Sequence, residues 1–262
     1  MCPSSPVIVS AELNNRACIY IHQGDYENAI TILKEGLQIA KQSTKEAQQE
    51  QSHHCCSSSA ATTTPTTQSP QDCHDESAAV ASFEMTPGEV LKTTAQAAST
   101  AAAKFRCGDP SKPFVCDDPL PITSFPITME GEDIVAYLSF TLLFNLALSY
   151  HLRALQDDSM CREVSSRLFE TAQRLYEYTF QLQSQLTEVS VLTTVALLNN
   201  LAQVHKSLKN EFEAYQCEKL LLSALLLIVD MGEPALKDRV DSYMCNVMHL
   251  IFTESGVAAS AA

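Results

Sequence analysis

The chain has 262 residues, 45% of them apolar, with 17 basic against 31 acidic side chains, a formal charge of −14 and ten cysteines. That is enough length and apolar content for one large domain or two small ones. The acidic balance argues against nucleic acid and against a membrane surface as partner, since both need clustered Lys and Arg, and seven glycines are few for phosphate-cradling or strand-rich folds.

In chain order, Met1-Cys2-Pro3-Ser4 has neither a basic start nor a long apolar run, so no secretory leader is expected. Residues 10–42 are strongly patterned: Leu13-Asn14-Asn15-Arg16-Ala17 and Tyr20, a turn at Gly24-Asp25-Tyr26, then a second helix opening Glu27-Asn28-Ala29-Ile30. From 43 to 130 the composition shifts to Gln, Ser, Thr and His. The run Ser57 to Pro65 offers too little apolar surface to offset ordering entropy, which predicts a long disordered, low-complexity insertion. Inside it, Thr86-Pro87-Gly88-Glu89 reads as the start of an Ala-rich helix over 87–106. Pro119, Pro121 and Pro126 then impose an extended segment up to the next helix.

Residues 131–254 are helical by periodicity, with helices expected near 132–154, 160–184, 187–208, 211–230 and 235–253. Val191, Val195, Leu198, Leu201, Ala202 and His205 recur at three- and four-residue steps, which marks one buried face. No strand-period segment of useful length occurs, so the class is all-α. The longest apolar stretch, Ile134 to Tyr150, is interrupted by Ser139, Thr141, Asn145 and Ser149 and is short for a membrane span. Scattered cysteines without a leader point to reduced thiols in the cytoplasm or nucleus.

An internal repeat organises these helices. Leu13-Asn14-Asn15-Arg16-Ala17 returns as Leu198-Asn199-Asn200-Leu201-Ala202 and, more loosely, as Phe144-Asn145-Leu146-Ala147. Ala17 to Ala29 is 12 residues, Ala202 to Ala214 is again 12, and Ala147 to Ala172 is 25. Small residues at these places let antiparallel helices approach closely, and several such pairs must stack to bury their faces.

This pattern resembles the tetratricopeptide repeat (TPR), most specifically over 10–42 and more loosely over 141–230. Gly36 stands where the repeat usually has Ala, no proline closes the first unit, and Lys209 and His205 replace the turn glycine and the tyrosine in the last copy. The resemblance implies a TPR-like right-handed α-solenoid of about three antiparallel helix pairs plus a C-terminal capping helix. It also implies a concave groove, lined by the first helix of each pair, that binds another polypeptide. On that basis the groove would present Asn14, Cys18 and His22, then Phe144, Leu148 and His151, then Asn199, Gln203 and Lys206. Asn and Gln can hydrogen-bond an extended backbone in both directions. Lys206 alone is a poor match for TPR grooves that hold a terminal carboxylate with paired cations.

Asn15, Asn145 and Asn200 read either as ligand contacts or as side chains bonding backbone within the fold, and His205 reads as a core imidazole. His53, His54, Cys55 and Cys56, with Cys73 and His74 downstream, have metal-ligand residue types but not zinc-finger spacing. No nucleophile elbow, phosphate loop, dinucleotide fingerprint or metalloprotease motif occurs. The expected function is a non-catalytic adaptor or scaffold that needs no cofactor and binds a protein or peptide. A metal- or redox-responsive protein or enzyme using the His/Cys tract and a self-associating subunit, a homo-oligomer built through the apolar helices, are the alternatives.

Overall fold

The computed structural model describes residues 5–56, 114–123, 125, 132–156, 161–186, 189–231 and 237–259. Side chains at 43–56, 132, 237–239 and 252–259 lie outside that description. The chain divides into two units, residues 1–46 with 106–262 and residues 47–105. Residues 57–113, including the expected helix over 87–106 and the candidate ligands Cys73 and His74, lie outside the described residues.

Seven helices account for the described secondary structure, with no strand among the described residues: α1 (Pro6–His22), α2 (Tyr26–Cys56), α3 (Glu132–Gln156), α4 (Arg162–Gln183), α5 (Val191–Ser207), α6 (Glu211–Met231) and α7 (Lys237–Ala259). The all-α expectation holds. α2 runs on past 42, where the insertion was expected to start, because Lys45, Glu46, Ala47, Gln48, Gln49 and Glu50 are strong helix formers. His53, His54, Cys55 and Cys56 are therefore in its last turns.

Consecutive helices from α3 to α7 pack on each other, and α1 on α3, α3 on α5 and α5 on α7 also touch. α2 reaches α3 through Gly36, where an added Cβ would meet Leu142 Cδ2 at 3.0 Å. An Arg153–Glu27 ion pair and Lys34 over the Tyr150 ring lie on the same seam. The small residues of the repeat are at the points of closest approach: Ala17, Ala29, Ala147, Ala172 and Ala202 have no exposed surface and Ala214 has 1%. Thr141, Asn145 and Ser149 in otherwise apolar α3 are likewise buried. α3 is long and apolar enough to cross a membrane by length and composition, and 67% of its most apolar 18-residue window is buried within the fold.

The turns of the first and last copies are built alike. Gln23, Gly24 and Asp25 donate backbone N–H groups to Ile19, Ile21 and Tyr20; Leu208, Lys209 and Asn210 donate to Val204, Lys206 and His205. Both turns need a left-handed residue. Gly24 supplies it at φ 75°, and Lys209 adopts φ 63° in its place. The turn geometry thus persists after the glycine is lost.

Candidate functional site

Residues 114–123 are not part of a loose insertion: they form an extended strap across the faces of α1, α3, α5 and α7. The prolines favour this conformation locally, and four asparagines hold it. Each occupies the same place in its helix as Asn15 does in α1, and each pairs with both backbone polar groups of one strap residue. Asn15 Nδ2 donates to Ile122 O (2.7 Å) and Ile122 N–H donates to Asn15 Oδ1 (2.7 Å). Asn145 on α3 does the same with Leu120 (2.9 and 2.8 Å). Asn200 on α5 pairs with Cys116 (2.8 and 2.9 Å) and Asn246 on α7 with Phe114 (2.7 and 3.0 Å). A carboxamide carries a donor and an acceptor side by side, so it matches the N–H and C=O of one residue in an extended chain.

The preceding residues brace these clamps. Asn14 Oδ1 accepts from Asn145 Nδ2 at 2.9 Å, and Asn199 Oδ1 accepts from Asn246 Nδ2 at 2.6 Å. Their own amides reach the strap, Asn14 to Leu120 O at 2.9 Å and Asn199 to Phe114 O at 3.1 Å. Asn200 is steadied by the Tyr176 hydroxyl at 3.3 Å. Asn14, Asn145, Asn199 and Asn200 are fully buried, and such groups are costly to leave without partners.

Strap side chains are read more lightly than its backbone. Cys116 and Ile122 are buried, the Phe114 ring meets Tyr243 edge-on at 5.1 Å, and Asp117 and Asp118 face solvent. Burial pushes the Cys18 thiol up to about 11 and raises that of Cys116 as well, so both stay protonated at neutral pH and neither is a nucleophile. Cys18 Sγ lies 3.6 Å from Leu120 O. Cys161 and Cys217 are also free thiols, whereas Cys245 is disulfide-bonded, which departs from the expectation of uniformly reduced cysteines.

Among the residues expected to line the groove, Asn14, Cys18 and Asn199 touch the strap. Phe144 and His151 instead pack against α4, their rings 5.9 and 6.1 Å from that of Tyr176, and Leu148 is fully buried. His22 is exposed, Gln203 is buried, and Lys206 is tied to the buried carboxylate of Glu218 on α6. His205 is a buried core side chain whose pKa burial lowers. Among the described residues no group of three His, Cys, Asp or Glu side chains could hold a metal.

Asn246 was missed, because Cys245-Asn246-Val247-Met248 lacks the small residue that ends the motif elsewhere. Its visible signal was an asparagine alone on the apolar face of the last helix. Compared with protein-family models, curated proteins and solved structures, the chain matches none.

Proposed function

We propose that this chain is a non-catalytic protein–protein interaction adaptor: a TPR-like stack of helix pairs, working in the cytoplasm or nucleus, whose groove recognises extended polypeptide. One observation carries the reading. Four equivalent asparagines on α1, α3, α5 and α7 grip an extended backbone at both its donor and its acceptor groups. Such contacts tolerate varied side chains while demanding an extended chain, which suits a scaffold. Panning a random peptide library on the full chain tests it. Enriched peptides should carry apolar residues at alternate positions and be competed by a synthetic strap peptide; enrichment that the strap peptide does not compete would contradict it.

A second reading, self-association, has its own observation. Phe212, Leu220, Leu227 and Met231 lie on one side of α6 and are 51–69% exposed. Light scattering over a concentration series should show a mass that Leu220→Lys with Leu227→Lys reduces to the monomer's; a monomer at every concentration removes this reading.

A further inference from the structure

Residues 114–122 already occupy the groove and lie on the carboxamides of Asn14, Asn145, Asn199 and Asn200. Binding of anything else is therefore an exchange. We infer that the groove's partner is an extended segment of another polypeptide that displaces residues 114–122, and that the strap is the protein's own stand-in for it. This rests on the groove reading above and adds the identity of the ligand class and the means of entry.

The strap specifies that class. Its clamped residues Phe114, Cys116, Leu120 and Ile122 stand at relative positions 0, 2, 6 and 8. All four need a backbone N–H, so none can be proline, and Pro119 and Pro121 sit between clamps. The first site takes an aromatic ring against Tyr243, the second a small side chain as buried as Cys116, and the last a branched aliphatic as buried as Ile122. The two residues after the second clamp, Asp117 and Asp118, are exposed. A displacing segment thus carries aromatic, small, aliphatic and aliphatic residues at this spacing.

The test adds a fluorescein-labelled peptide of residues 112–124 to the full-length chain and to a full-length variant carrying Cys116→Asp and Ile122→Asp. These changes place charges at Cys116 and Ile122, two buried side chains of the strap, and leave the groove walls intact. The variant should bind the peptide at least tenfold more tightly than the wild type, which must first release its own strap. Peptide N-methylated at the Phe114, Cys116, Leu120 and Ile122 positions should bind neither, while N-methylation at Val115 and Thr123 should be tolerated. Equal, N-methyl-sensitive binding by both chains would overturn displacement but leave the groove reading standing. A variant that keeps its helical circular dichroism yet binds nothing would overturn both. Should the variant lose that signal, amide exchange of the wild type decides: saturating peptide should expose strap amides, and strap amides that stay protected overturn the inference.

Discussion

At Asn200 a single carboxamide serves three groups, the N–H and C=O of Cys116 and the hydroxyl of Tyr176, all in buried surroundings. Truncation leaves the strap groups without partners, so Asn200→Ala is expected to cost about 3 kcal/mol of unfolding free energy. Asn28→Ala, which removes one exposed bond, from Asn28 Nδ2 to Asp25 Oδ2 at a helix start, should cost about 1 kcal/mol or less. Urea denaturation of the two variants checks the contrast, and similar losses would deny the ladder its weight. His151 is a different case. It is fully buried, neither ring nitrogen has a hydrogen-bond partner among the described residues, and burial lowers its pKa to about 3. The unfolded state, titrating near 6.5, then binds the proton first as pH falls, so stability present above pH 6.5 is lost progressively down to about pH 3. Between pH 7.5 and pH 5 the wild type should lose about 2 kcal/mol more than His151→Phe, which keeps a ring against Phe169 and Tyr176. Parallel pH profiles for the two proteins would contradict this.

Among the helices, the repeat was legible because it is written in local spacing. Ala17, Ala29, Ala147, Ala172, Ala202 and Ala214 each recur where a neighbouring helix must come close, and each is buried. The end of α2 was harder to read: its Gln- and Glu-rich extension has high helix propensity and no apolar stripe, so composition and propensity point in opposite directions. The turns give a paired prediction. Gly24→Ala should destabilise by about 1 kcal/mol, since it places a side chain at φ 75°. Lys209→Gly should stabilise by up to about 1 kcal/mol by relieving φ 63°. Thermal or urea unfolding measures both, and a destabilising Lys209→Gly would mean that the lysine side chain contributes more than its backbone strain costs.

For the whole molecule, asparagines that bond a backbone could be anticipated, and which backbone they bond could not. Asparagines able to bond a backbone in both directions were visible in the sequence. Their partners, however, lie up to 132 residues away and are backbone groups, which leave no mark on side-chain identity. The prolines revealed that the segment is extended. Only the alternation Phe114, Cys116 and Leu120, Ile122, with Pro119 and Pro121 off the clamped positions, hinted that one face of it is held. His22, Phe144, Leu148, His151, Gln203 and Lys206 were assigned to the groove from the TPR resemblance in the register of Asn14, Cys18 and Asn199, which do touch the strap, so spacing along a helix does not by itself say which side chain meets it.

The most direct test of the ladder is residue-resolved native-state amide exchange along the strap of the full chain. The amides of Phe114, Cys116, Leu120 and Ile122 each donate to an asparagine and should exchange orders of magnitude more slowly than those of Val115 and Thr123. Uniformly fast exchange from 114 to 123 would contradict an asparagine-clamped strap and, with it, the groove.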